Sequence, residues 1–76
     1  MLGMATSLPE RIGLAIRKRR EQLGVSQEAF ADRIQMHRNY YGVIERGEKT
    51  MRLDTLERVA SGLGVEAWRL LREATD

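Results

Sequence analysis

Residues 24–49 read GVSQEAFADRIQMHRNYYGVIERGEK, and their division into two short runs decides the fold. Ser26 stands where a side-chain oxygen takes a free amide at a helix start, and Phe30, Ala31 and Ile34 follow at helical spacing. A helix is predicted from Gln27 to about Ile34. Gln35 and Met36 form the turn, and His37 takes the next cap position. A second helix is expected from Arg38 to about Glu45, burying Tyr41 and Ile44. Gly47 ends it, because glycine adopts the left-handed closing conformation at little cost. Neither run is long enough to hold a helix in water alone. Each needs the other and a further scaffold.

That scaffold reads outward on both sides. In SLPERIGLAIRKRREQLG, residues 7–24, Ser7 and Glu10 have capping-box spacing and Pro9 sits in the first turn. Ile12, Ala15, Ile16, Arg20 and Leu23 share one face, so a first helix is expected over roughly 9–23, closed by Gly24. Leu53, Leu56, Val59, Ala60 and Leu63 give a fourth helix ending at Gly64. Val65 leads into a fifth with Trp68, Leu70 and Leu71 as apolar positions. Two weak points stand out. Gly62 should fray the end of helix four, and Arg52 stands where a capping oxygen belongs. The expected fold class is all-α, a compact five-helix bundle, with a flexible segment over 1–8 and one domain over 9–74.

Bulk composition narrows the function. Seventy-six residues hold one core, and 42% apolar against 32% charged residues reads as a folded soluble protein. Cysteine is absent, which excludes disulfides and thiolate metal sites, and the lone His37 has no histidine partner for a metal. Ser7, Ser26 and Ser61 look like caps or surface, and one histidine makes no triad; no enzyme is expected. Neither an export signal nor a membrane-spanning run is readable, so a cytoplasmic location is expected, without cofactor or small-molecule ligand. The net charge is only +2, with five bases between Arg11 and Arg20. Local basic density at low net charge suits a surface patch for a polyanion.

Two short helices at this separation make a helix-turn-helix, whose second helix lies in the DNA major groove. The N-terminus of a helix offers free amides and a positive dipole end to a phosphate, and Gln27 begins helix two there. The exposed face of helix three carries Arg38, Asn39, Gly42, Val43 and Arg46. Arginine bonds bidentately to guanine, asparagine to adenine, and Val43 can pack on a thymine methyl. Gly42 is expected to let the helix sit close to DNA. Arg46 and Lys49 would meet phosphates as the chain leaves the groove. Arg17 to Arg19 read instead as a solvated face.

These residues carry a resemblance. LGVSQEAFA, YYGVIERGEK and LDTLERVASGLGV, in register over roughly residues 12–65, resemble the Cro/repressor-type (XRE) helix-turn-helix family. VSQEAFADRIQM is similar to the phage lambda repressor, and HRNYYGVIERG to restriction-modification controller proteins. The resemblance implies base contacts by Gln27, Arg38, Asn39 and Val43. It implies backbone contacts by Tyr40, Arg46, Lys49 and Thr50, beside the caps Ser26 and His37. It also implies a partly buried salt bridge between Arg20 and Glu45, which the position of Arg20 on an inner face allows. Two departures follow: His37 replaces the usual serine or aspartate cap, and Tyr41 replaces an aliphatic residue, so its hydroxyl needs a partner. Glu28 and Asp32 share a helix face that could look away from DNA, either a contact for RNA polymerase or a solvated acidic pair.

The reading is a transcriptional regulator that binds double-stranded DNA at a palindromic operator as a homodimer. Autoregulation by occupancy is expected, as in a controller protein or phage-type repressor. One helix in one groove reads too few base pairs for tight specific binding, so a two-fold partner is expected. The dimer contact is sought in helix five at Trp68, Leu70 and Leu71. The alternative is an antitoxin or anti-repressor that keeps the fold as a protein-interaction module.

Overall fold

The computed structural model describes residues 6–76. Five helices follow in order: α1 (Leu8–Gln22), α2 (Gln27–Arg33), α3 (Arg38–Arg46), α4 (Leu53–Leu63) and α5 (Ala67–Thr75). The all-α bundle expected from the sequence is the fold observed. Ser7 and Glu10 form the capping box, with the Ser7 amide donating to Glu10 Oε1 at 2.8 Å and the Glu10 amide to Ser7 Oγ at 3.3 Å. α1 therefore begins one residue earlier than expected. Of the flexible segment expected over 1–8, residues 1–5 lie outside the described residues, while Ser7 and Leu8 belong to the helix start.

Four helices close with the same pair of backbone bonds. Gly24 and Val25 donate to Glu21 and Arg20, Gln35 and Met36 to Asp32 and Ala31, Gly47 and Glu48 to Ile44 and Val43, and Gly64 and Val65 to Ser61 and Ala60. The residue that turns the chain is left-handed each time. Three of these are glycines, but in the turn between α2 and α3 it is Gln35, at φ 55°. An L residue there costs about 1 kcal/mol or more. The turn is nonetheless held, by the 2.8 Å bond from Met36 to Ala31 and by Met36 packing on the core.

The core joins Ile12, Ala15 and Ile16 of α1, Phe30, Ala31 and Ile34 at α2, and Tyr41 and Ile44 of α3. Leu56, Val59, Ala60 and Leu63 of α4 complete it with Leu70 and Ala74 of α5. Phe30 and Tyr41 meet with ring centroids 5.3 Å apart at 48°, a tilted pair that fills the seam between α2 and α3. Two glycines set the spacing of helices. A Cβ on Gly13 would lie 2.3 Å from the Glu45 carbonyl oxygen, so α1 and α3 touch backbone to side-chain-free backbone. A Cβ on Gly62 would lie 2.4 Å from Ile34 Cγ2 and 3.0 Å from Phe30 Cζ. α4 continues through Gly62 to Leu63, and this packing against α2 offsets the glycine's poor propensity.

Two expected core positions are corrected. Leu23 follows the last buried residue of α1 and is 51% exposed; Leu53 precedes the first buried residue of α4 and is 78% exposed. On α5 the inward stripe is Leu70 and Ala74, one turn apart. Trp68, two residues from Leu70 and so about 200° around the helix, is 52% exposed. Arg69 lays its guanidinium over the Trp68 ring, 5.0 Å from the centroid. Arg52 starts α4 without a side-chain cap, as expected, and pairs with Asp54 instead. α5 is tied to α1 by Arg11, which donates to the Ala74 carbonyl at 3.1 Å, and by the Arg19–Glu73 ion pair. No described helix is long and apolar enough to cross a membrane.

Candidate nucleic-acid interface

The site begins with what holds α3 in place. Arg20, expected as half of a buried pair, reaches Glu45 through Nε at 2.6 Å and Nη2 at 3.2 Å, and gives Nη1 to the Val25 carbonyl at 2.6 Å. Tyr41 Oη donates to Glu45 Oε2, which answers what its buried hydroxyl does. Gln27 Nε2 adds a further bond to Glu45 Oε1 at 2.8 Å. One carboxylate thus takes four hydrogen bonds from α1, α2 and α3, close to its full accepting capacity. Burial pushes the Glu45 carboxyl upward, but the bonds from Arg20, Tyr41 and Gln27 outweigh it and hold the group below the usual carboxylate range. Burial, then the bond to Glu45, pushes the Tyr41 phenol far up, so it remains a neutral donor.

Gln27 was not expected in this cluster. Glu45 takes one of its amide hydrogens, leaving the second hydrogen and the carbonyl oxygen for any base. Its sequence signal was position alone, the first residue of α2 opposite the last turn of α3.

On the outer side of α3 the expected readers gather. His37 caps the helix by accepting the Asn39 amide at Nδ1, 3.1 Å away. A neutral ring so bonded carries its proton on Nε2, which is the donor it has left. Arg38 and Asn39 are exposed in the first turn, Tyr40 is 40% exposed beside them, and Val43 is half-buried one turn on. Ser26 is spent as the α2 cap, accepting the Ala29 amide at 3.0 Å. Lys49 and Thr50 are exposed in the connection from α3 to α4. A Cβ on Gly42 would lie 3.0 Å from Arg46 Nη1, so the glycine leaves room for the Arg46 guanidinium to fold over it. Arg46 itself pairs with Glu48 at 2.8 Å.

Glu28 does not look away from this face. Its Oε1 lies 3.4 Å from Arg38 Nη1, across a shallow cleft between α2 and α3 that Asp32 and Met36 also line. The α2–α3 crossing brings Glu28 to the first turn of α3, while Asp32 stays exposed beside it. Leu70, expected at a dimer contact, is corrected; it has no exposed surface to offer. Trp68 and the half-buried Leu71 remain at the surface.

Two short helices crossing through a tight turn, the second capped and presenting polar side chains, define a helix-turn-helix protein. A family model described as helix-turn-helix matches residues 16–67, and the chain belongs to that family. Control protein C.MunI of a Mycoplasma species is 41% identical over 56 residues, covering 72% of this chain and 76% of that protein. The crystal structure of the clp gene regulator ClgR from C. glutamicum superposes with a TM-score of 0.89 at 28% identity, over 97% of this chain and 95% of that one. The restriction-modification controller protein C.Esp1396I, solved as a tetramer with its natural 35 base-pair operator, matches with a TM-score of 0.80 at 27% identity, over 93% and 99% of the two chains. The resemblance to Cro/repressor-type regulators and controller proteins is thereby shown.

Proposed function

We propose that the chain is a sequence-specific transcriptional regulator that binds a palindromic DNA operator as a homodimer and controls its own promoter. The observation that carries this reading is the first turn of α3, where Arg38 and Asn39 stand exposed on a helix whose other face is locked by Glu45. A reading side chain discriminates bases only if its backbone cannot drift, and here three helices share the carboxylate that fixes it. Arg38 reads guanine, Asn39 adenine, and Val43 a thymine methyl, with Gln27 adding its free amide atoms at the adjoining helix start. His37, Tyr40, Arg46, Lys49 and Thr50, with the Ser26-capped start of α2, meet the phosphates. The operator complex of C.Esp1396I supports the reading, since that protein shares the fold over nearly its whole length.

A dimer follows from the size of the target. Two recognition helices about 34 Å apart reach successive major grooves of a palindrome, which one copy cannot. Trp68 and Leu71 form the contact, an aromatic anchor beside half-buried aliphatic surface.

The test is selection of bound duplexes from a random library, followed by titrations over a salt series. A palindromic consensus is expected, with affinity falling steeply as salt rises. Arg38→Ala should lose about 1–3 kcal/mol of preference for the consensus, whereas Arg46→Ala should weaken all duplexes alike and lower the salt slope by about one. Equal discrimination by wild type and Arg38→Ala would refute the base-reading assignment. Sedimentation of Trp68→Ala at micromolar concentration should show monomer; an unchanged dimer places the contact elsewhere.

A further inference from the structure

Of the ion pairs on this surface, the one between Arg38 and Glu28 sits where a carboxylate works against affinity. Its two side chains are 65% and 73% exposed and joined by one contact of 3.4 Å, so it adds little to stability. Glu28 lies in the first turn of α2, beside the face that would meet a polyanion. We infer that Glu28 is a specificity-determining residue of this interface: it holds Arg38 away from phosphates and releases its selectivity to guanine. The inference rests on the DNA-binding reading above.

The physical reason lies in what each competitor leaves behind. A guanidinium has five donor hydrogens, and a guanine edge uses two of them. A neutral base therefore shares Arg38 with Glu28, and the carboxylate keeps its partner. A phosphate uses no more donors but brings a second negative charge to the same guanidinium, so it and Glu28 repel across one cation. Non-specific DNA is thus penalised and a guanine at the right step is not, which is discrimination by repulsion of the wrong partner. Arg46 and Glu48 do not do the same work. Glu48 lies just past α3 on the loop, two residues from its partner, and Arg46 is folded back over Gly42.

The experiment compares Glu28→Gln with wild type on the selected operator and on random duplex of the same length, at one salt concentration. Glu28→Gln should raise affinity for random duplex by up to about fivefold while operator affinity changes less than about twofold, so the ratio narrows. Its thermal midpoint should match wild type, which a structural role for Glu28 would not allow. In an Arg38→Ala background the same substitution should raise both affinities by the same factor. A uniform gain on both duplexes with Arg38 present, or no gain on either, overturns the inference while leaving the DNA reading intact. Failure of wild type to discriminate at all would instead overturn the DNA reading, and this inference with it.

Discussion

Arg20–Glu45 and Arg38–Glu28 are the same chemical pair in two settings. Both bridge α3 to a neighbouring helix. The first is buried, with a shortest contact of 2.6 Å and further bonds to Tyr41, Gln27 and the Val25 carbonyl. The second is exposed, with a single contact of 3.4 Å. In the first, no water is available to take over if a partner is lost, so the pair behaves as architecture. In the second, solvent can replace either partner at little cost, so the pair is exchangeable. Burial, and not residue type, separates a fixed strut from a contact surface on one nine-residue helix.

Breaking the buried pair should produce the largest effect. Glu45→Ala leaves Arg20 buried without its carboxylate and should cost about 3–5 kcal/mol, read as a lower urea midpoint; a midpoint within error of wild type would contradict the architectural role. Acid probes the same group with a defined sign. The folded carboxyl of Glu45 lies below its unfolded value, so its contribution is complete above about pH 4.3 and is lost as pH falls through the folded value. Stability should drop by up to about 1.4 kcal/mol per pH unit on that limb from this group, and Glu45→Gln should flatten the limb.

Smaller effects sharpen the contrast. Tyr41→Phe removes one of the four donors while Arg20 and Gln27 remain, and should cost about 1–2 kcal/mol in the same unfolding measurement. Gln35→Gly relieves the left-handed turn between α2 and α3 and should stabilise by about 0.5 kcal/mol, visible as a raised thermal midpoint. Arg38→Ala should shift unfolding by less than about 0.5 kcal/mol, although it removes an ion pair. A larger shift would mean that the exposed pair is also a strut.

The legible parts of the fold share a physical property: each depends on residues close in the chain. The Ser7–Glu10 box, the Ser26 cap and the closing glycines at 24, 47 and 64 are satisfied within one or two turns, so reading them from the string succeeded. Tyr41 was legible as a buried phenol needing a partner, and the partner lay one turn away at Glu45. What failed depends on where helices cross. Leu23, Leu53 and Leu70 obey the periodicity expected of them or come within a residue of it, yet the coverage of each is decided by neighbours distant in sequence.

Local periodicity and capping in these 76 residues therefore determine five helices, their order, and a short third helix with Arg38 and Asn39 at its front. Only the tertiary structure decided that Gly13 and Gly62 are points of contact, that Gln27 is harnessed to Glu45, and that Glu28 faces Arg38. The reason is that a helix's own hydrogen bonds span four residues, whereas these contacts span from ten to thirty-two and exist only once the crossing angles are set.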